Sequence, residues 1–388
     1  MACMAKTKAA GITPGMVHVL TLVPYKIFPA KFGGQKNIAQ FFEHLAKACP
    51  VVCVTVKSNE PQYAKGYTLL NPLSDSPLRY INPFYFFTLR SIIRRYRITH
   101  LMLEHPYYGW LGILLKLFTG VRLVIRSQNI ESLRWKSLGK GWWKILWWYE
   151  RITHRMADLN FFITDNDLNY ALKHFRLPAA ACVTITYGVE IDRAPLAGER
   201  ARCKKVLQQR HGIRPNETIF LFNGALNYLP NYTAVQALVQ SVNPVLLQQN
   251  FSYKILICGK GLPPEMQELK EYAHQNIIYA GFVDDIDVYF KGSDSFLNPV
   301  VEGGGIKTKL IEALSYNLNA VSTASGAFGV DGRLTNSKLL VTPDYDWVCF
   351  ADAAKKSIAI RSDIPAQYFE HFYWGNIIKQ AVQFMERG

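Results

Sequence analysis

The sequence predicts an α/β protein built from two successive doubly wound domains. Three observations carry this. At 388 residues the chain is too long for one ordinary core. Short apolar runs alternate with helix-length amphipathic segments, the pattern of βαβ units around a parallel sheet covered on both faces. The alternation also runs through twice, with a polar, strand-free stretch between the two rounds.

In the first round the strand candidates are VHVLTLV (17–23), VVCVTV (51–56), THLMLEH (99–105), VRLVIR (121–126), DLNFFIT (158–164) and CVTIT (182–186). Asn37–Lys47, Tyr108–Phe118 and Trp142–Met156 have helix length between them. The polar stretch ending in HGIRPNE reads as a linker. The second round offers TIFLFNG (218–224), YKILICG (253–259), NIIYAG (276–281), SDSFLNP (293–299), NAVST (319–323) and KLLVT (338–342). The expected partition is a first domain over 16–195, a linker over 196–215, a second domain over 216–365, and a C-terminal helix over 366–388 able to pack back on the first domain.

Composition narrows the class. Apolar residues make up 49% and charged residues 19%, so the chain is globular. Seven scattered cysteines without a CxxC pair argue against a disulfide framework or a zinc site and fit a reducing cytosol. The first fifteen residues lack an apolar core, and no run of about 18 apolar residues occurs, so neither a secretory leader nor a membrane span is expected. The net charge of +15 is lopsided. Residues 1–195 hold 25 Lys and Arg against 11 Asp and Glu; residues 196–388 hold 19 against 18. A basic half suits an anionic membrane, an anionic substrate or nucleic acid. Nucleic acid is set aside, because there is no zinc-finger spacing, RRM motif or long basic run. Residues 134–155, RWKSLGKGWWKILWWYERITHR, combine five of the eight tryptophans with six Lys or Arg. That mixture favours a membrane interface. Trp142, Leu146 and Tyr149 also have the spacing of a helix packed on a sheet, so both readings stay open. The expected location is cytoplasmic, peripheral on the inner face of the cell membrane.

The stretch EGGGIKTKLIEAL (302–314) carries the chemistry. In open parallel sheets, ligands bind beyond the carboxyl ends of strands, and this loop follows the strand candidate that ends at Pro299. The bare backbone of Gly303, Gly304 and Gly305 lets a ligand approach the main chain. A helix beginning near Ile306 would aim unpaired N–H groups back at the loop, where a phosphate is the usual guest. Lys307 and Lys309 add charge. Two residues apart on a helix, they would not face one spot, so one would reach the phosphates and the other a neighbour such as Glu312. Glu312, about two turns in, suits the hydroxyls of a ribose. Taken alone, the stretch also reads as a Gly-rich turn with solvated lysines.

The wider pattern P-x3-G-x-G-x-K-x-K-x-x-E-A-L resembles the retaining glycosyltransferases of family 4, which have the GT-B fold: two doubly wound, Rossmann-like domains facing across a cleft. FPAKFGGQKNIAQFFEHLA (28–46), RSQNIES (126–132), TYGVEID (186–192), FNGALNYLPNYTAV (222–235), ICGKG (257–261) and YAGFVDDI (279–286) resemble further blocks of that family, in order, over residues 17–345. The resemblance implies a nucleotide-diphosphate sugar in the C-terminal domain. Glu312 would bind the ribose, and Gly303, Gly304, Gly305 and Lys307 the diphosphate, with Lys309 as a second cation. Gly281, Phe282 and Val283 would bind the base, and Gly224 would open the nucleotide domain. Gly33 and Gly34 would approach from across the cleft.

Departures from the family accompany the match. The cation that often follows the first strand of the C-terminal domain is absent from NGALNYLPNY, so Lys307 or Lys309 would supply it. Glu302 stands near the first carboxylate of the family's Glu-x7-Glu motif, but Glu312 lies ten positions further on, which leaves its role open. The histidine of the family's HN-x-E segment is Gln128 here, an amide that cannot exchange a proton near neutral pH. His105, in EHPYYG, is another candidate, set against the structural role common for a histidine before proline. Lys307, Glu302 and Gln128 are the expected catalytic residues. No DxD pair stands in a suitable loop, so no metal and no other cofactor is expected; Asp284 and Asp285 would cap the next helix. The implied reaction is sugar transfer, with retention, to a cell-surface glycan or lipid-linked acceptor. A non-catalytic nucleotide-sugar-binding subunit, suggested by Gln128, and a GT-B nucleotide-sugar epimerase are the alternatives.

Overall fold

The structure, a computed structural model, describes residues 16–30 and 33–387. Its first sheet is seven-stranded and wholly parallel: β1 (Val19–Leu22), β2 (Val51–Val56), β3 (Thr68–Leu73), β4 (His100–Glu104), β5 (Arg122–Ser127), β6 (Leu159–Phe162) and β7 (Cys182–Thr184), in the order β3-β2-β1-β4-β5-β6-β7. Val19 pairs with Val51 on one side and His100 on the other. Helices α1 (Gly33–Ala48), α2 (Tyr85–Arg95), α3 (Gly109–Thr119), α4 (Glu131–Ser137), α5 (Trp143–Met156) and α6 (Asp165–Tyr170) connect or cover these strands. β1, β2 and β4 are buried along their whole length, which is why they read as unbroken apolar runs.

Helix α7 (Ala197–His211) occupies most of the stretch expected as a linker. It escapes the periodicity test because only Leu207 on it is buried. The second sheet has six parallel strands: β8 (Thr218–Asn223), β9 (Tyr253–Cys258), β10 (Ile277–Gly281), β11 (Ser295–Asn298), β12 (Asn319–Thr323) and β13 (Leu339–Thr342), ordered β10-β9-β8-β11-β12-β13. With it go α8 (Leu229–Ala237), α9 (Asn243–Gln248), α10 (Ile286–Gly292), α11 (Thr308–Ser315) and α12 (Trp347–Ser357). Asp285 precedes α10 without capping it through its side chain; its carboxylate instead takes Arg210 of α7, 2.9 Å away.

The C-terminal segment is two helices, α13 (Ala366–Phe372) and α14 (Trp374–Glu386). α13 rests on the second domain, with Tyr368 Oη donating to the Ile311 carbonyl at 2.7 Å. α14 rests on the first, where Arg122 and His100 reach the Met385 carbonyl. Between them Trp374 is fully buried against Phe41, His44 and Tyr187. One apolar cluster therefore runs through both domains.

Each sheet reverses its winding once, between β1 and β4 and between β8 and β11. Loops leaving the two strands at such a point diverge to opposite faces and open a crevice. The loops after β1, β4, β8 and β11 line the cavities described next, together with the loop after β5.

Candidate active site

A cavity of about 410 Å³ lies between the domains, lined by Gly33, Gly34 and Lys36 from one side and Gly224, Asn231, Glu302, Gly303, Gly304, Lys307, Thr308, Lys309 and Glu312 from the other. α1 starts at Gly33 and α11 at Thr308, and neither has an acidic residue in its first turn. A methyl group on Gly33 would stand 3.7 Å from Thr308 Oγ1, so the two helix N-termini face each other across the cleft. Their unpaired N–H groups and partial positive charges converge on one space.

Helix α11 begins two residues later than expected. Lys307 precedes it in extended conformation (ψ 94°), so helical spacing does not separate Lys307 from Lys309, and both line the cavity. Lys307 Nζ donates to the carbonyls of Gly303 (2.6 Å) and Gly305 (3.0 Å), closing the glycine turn on itself. Lys309 does not pair with Glu312. Its Nζ donates to Asn231 Oδ1 at 2.8 Å and sits 4.1 Å from the centre of the Phe222 ring. Burial lowers the Lys307 ammonium to about 8; burial and then the charge of Lys307 lower Lys309 to about 7. Neither has a carboxylate partner among the described residues, and an arriving anion would restore their charge.

Glu312 Oε1 accepts from Tyr187 Oη at 2.6 Å, and burial raises its carboxyl above the usual range. Glu302 is exposed on the rim. Gly224 stands where a side chain would strike Asn231 Nδ2 at 2.6 Å. Gly305 has φ 74°, and a methyl there would meet Asn129 Oδ1 of the opposite domain at 2.8 Å, so glycine is required twice over. The turn Gly281–Val283 ends β10 at the edge of the sheet, with Phe282 exposed under Lys260. It is not among the residues lining this cavity.

A second cavity, of about 570 Å³, opens on the N-terminal side and shares Gly34 with the first. Its wall includes Tyr25, His105, Tyr107, Gln128, Asn129, Glu131, Arg134, Trp135 and Trp142. Gln128 belongs to a ring of side chains that uses both ends of its amide. Asn37 Nδ2 donates to its Oε1 (2.7 Å), and its Nε2 donates to Glu104 Oε2 (2.9 Å). Arg126, fully buried, closes the ring by donating to Glu104 and Asn37. Glu131, also fully buried, lies 3.0 Å from His105 Nδ1 and accepts from Tyr107 Oη and from Arg134. Burial alone would raise its carboxyl, but His105, Tyr107 and Arg134 outweigh it and hold Glu131 near 2. His105 has φ 67°, an uncommon conformation for a side-chain-bearing residue. Residue-by-residue reading passed over Tyr25, Asn129, Glu131 and Tyr187. Asn129, Glu131 and Tyr187 lie inside the recognised blocks RSQNIES and TYGVEID, where the motif letters were the available signal.

Residues 33–193 match the family described as Glycosyltransferase Family 4, and residues 217–359 the one described as Glycosyl transferases group 1. The chain belongs to the group 1 glycosyltransferases of GT-B type. Among solved structures it is similar to the sucrose-phosphate synthase of Thermosynechococcus elongatus (TM-score 0.69, 15% identity, covering 95% of this chain and 98% of that one). It is also similar to Anabaena HepE in complex with UDP and glucose (TM-score 0.66, 14% identity, 95% and 99% covered). WaaG, a glycosyltransferase involved in lipopolysaccharide biosynthesis, gives a TM-score of 0.62 at 14% identity, with 95% and 100% covered. An uncharacterised 44.6 kDa protein of the Klebsiella pneumoniae cps region is 27% identical over 133 residues, about a third of either chain. Among the described residues no helix is long and apolar enough to cross a membrane.

Proposed function

We propose that the protein moves a sugar from a nucleotide-diphosphate sugar to a glycan or lipid-linked acceptor, with retention and without a metal. The observation that carries this is the pair of facing helix N-termini with Lys36, Lys307 and Lys309 around one cavity. A diphosphate leaving the anomeric carbon gains negative charge, and prearranged amides and ammonium groups stabilise that charge in the transition state. Glu312 takes the ribose in this reading. The uridine diphosphate sugar in HepE crystals makes such a donor the first to try. Retention rests on the family resemblance alone. The test is thermal-shift screening with UDP-, GDP-, dTDP- and ADP-sugars, since a bound donor stabilises the native state by mass action. One donor should raise the Tm. Glu312→Ala should weaken its binding about tenfold or more, and Lys307→Ala should mostly lower turnover. Failure of every donor to stabilise the protein sinks the reading. A donor that binds without ever being turned over leaves only a binding subunit.

An anionic membrane surface is proposed as the second partner. Between residues 76 and 157 the chain has 14 Lys and Arg and only three carboxylates, Glu104, Glu131 and Glu150, all of them buried. Phe87 on α2, Leu117 and Phe118 on α3, and Ile145, Trp148 and Ile152 on α5 are exposed among those cations. Apolar groups interleaved with unopposed positive charge suit a headgroup region.

A further inference from the structure

In the transfer proposed above the acceptor hydroxyl has to give up its proton as its oxygen bonds to the sugar. The amide of Gln128 has no basic atom, and both of its ends are already bonded. Lining the same cavity stands a line of groups with the right chemistry. Glu131, acceptor only, faces His105 Nδ1 at 3.0 Å. A carboxylate at that distance favours a proton on Nδ1, although the contact is too bent for a hydrogen bond, and so leaves Nε2 with its lone pair. Tyr25 Oη lies 2.8 Å from that Nε2 and borders the N-terminal cavity. The cavity adjoins the cleft at Gly34 and at Asn129, whose Oδ1 lies against the glycine turn. Tyr25, Gly34 and Asn129 thus border one space that runs up to the glycine turn.

We propose that Tyr25 and His105 carry the proton of the acceptor hydroxyl, with Glu131 positioning the imidazole and balancing its charge. The inference rests on the transferase reading. As the acceptor oxygen bonds to the anomeric carbon, the bond from that carbon to the diphosphate oxygen breaks and its electron pair leaves with the nucleoside diphosphate. The acceptor's proton passes to Tyr25 Oη while the phenol proton passes to His105 Nε2. An imidazolium beside an ionised Glu131 results, and it later releases its proton to water. Tyr25 is the catalytic residue that meets the acceptor, His105 the terminal base, and Glu131 a positioning residue. Burial and the nearby Glu104 and Glu131 keep the phenol protonated between turnovers. The other polar groups around the imidazole are Tyr107 on the following turn, Arg134 on α4 through its bond to Glu131, and the closed Arg126–Glu104–Gln128 ring behind β4 and β5.

The test uses the full chain with UDP-glucose, GDP-mannose, dTDP-glucose and ADP-glucose. Donor binding is read by thermal shift, and sugar release to water or to glycerol as a surrogate acceptor is followed from about pH 5 to about pH 9. Tyr25→Phe keeps the ring, and His105→Gln keeps a hydrogen-bonding side chain of similar reach. Both variants should bind donor like the unaltered protein. Turnover should fall about 100-fold in each, and the acidic limb of the pH profile should vanish. Turnover within about twofold of the unaltered protein overturns the proposal, and so does an equal loss at every pH, which a purely structural role would produce. A protein that binds a donor but releases no sugar under any condition overturns it while leaving donor binding intact. A protein that binds no donor overturns the transferase reading as well.

Discussion

Glu131 lines the N-terminal cavity, Glu150 lies behind it on the backbone of α4, and the two titrate in opposite directions. Glu150 Oε1 accepts from the Glu131 N–H at 2.8 Å and Oε2 from the Ser132 N–H at 3.0 Å, so this carboxylate caps α4 from within the core. Burial raises Glu150 to about 7, more than those donors lower it, whereas Glu131 is held near 2. Both start from 4.5. The stability due to Glu131 is complete above that value and is lost as pH falls toward 2. Glu150 does the reverse: stability is highest below 4.5 and declines as pH rises through 7, by about 3 kcal/mol in all. Glu150→Gln should therefore raise Tm relative to the unaltered protein more at about pH 8 than at about pH 5. Calorimetry at the two pH values checks this; a pH-independent difference would show that Glu150 does not titrate in that range.

Helix α5 is amphipathic in the inverted sense. Its buried positions are Leu146, Glu150, Thr153 and His154, and His154 bonds Ser127 and Asn160. Its exposed positions include Ile145 (75%), Trp148 (56%) and Ile152 (54%). The expected core spacing of Trp142, Leu146 and Tyr149 holds only in part: Leu146 is buried, Tyr149 is half-buried and donates to the Tyr107 carbonyl, and Trp142 is 46% exposed. Polar groups inside and tryptophan outside are what the membrane contact proposed above requires of this helix. Trp148→Glu combined with Ile152→Glu should abolish co-sedimentation with phosphatidylserine vesicles while leaving donor binding unchanged. Pelleting of the unaltered protein should weaken with salt. Equal pelleting with neutral vesicles would count against the electrostatic part. Other elements were legible to different degrees. Twelve of the thirteen strands coincide with apolar runs, and β3 does not. It lies at the sheet edge and contains Pro72, which an edge strand tolerates and a central strand does not. The polar face of α5 was illegible because its partners lie on other elements.

At the scale of the molecule, the connection between the domains is clamped by the chain's own end. Val189 N donates to the Phe372 carbonyl, and Trp374 N donates back to the Val189 carbonyl. A methyl on Gly188 would stand 2.3 Å from the indole of Trp374. The ring thus fills the joint between the lobes. Trp374→Ala should cost about 3–5 kcal/mol and weaken donor binding, because Tyr187, which orients Glu312, packs on the same ring. Chemical denaturation with and without donor measures both effects; intact stability would show that the joint does not depend on the indole. The sequence by itself determined the two rounds of strand and helix, the place of the glycine turn and the family, because burial on both faces and bare backbone each leave a local trace. Only the tertiary structure decided that Lys307 and Lys309 share one cavity, that Gln128 is bonded at both ends, and that His105 meets Tyr25 and Glu131. Tyr25–His105 and Asn37–Gln128 are 80 and 91 residues apart, and Glu104–Gln128 and His105–Glu131 are 24 and 26 apart; pairing across such distances is set by how the sheet winds, which no local pattern records.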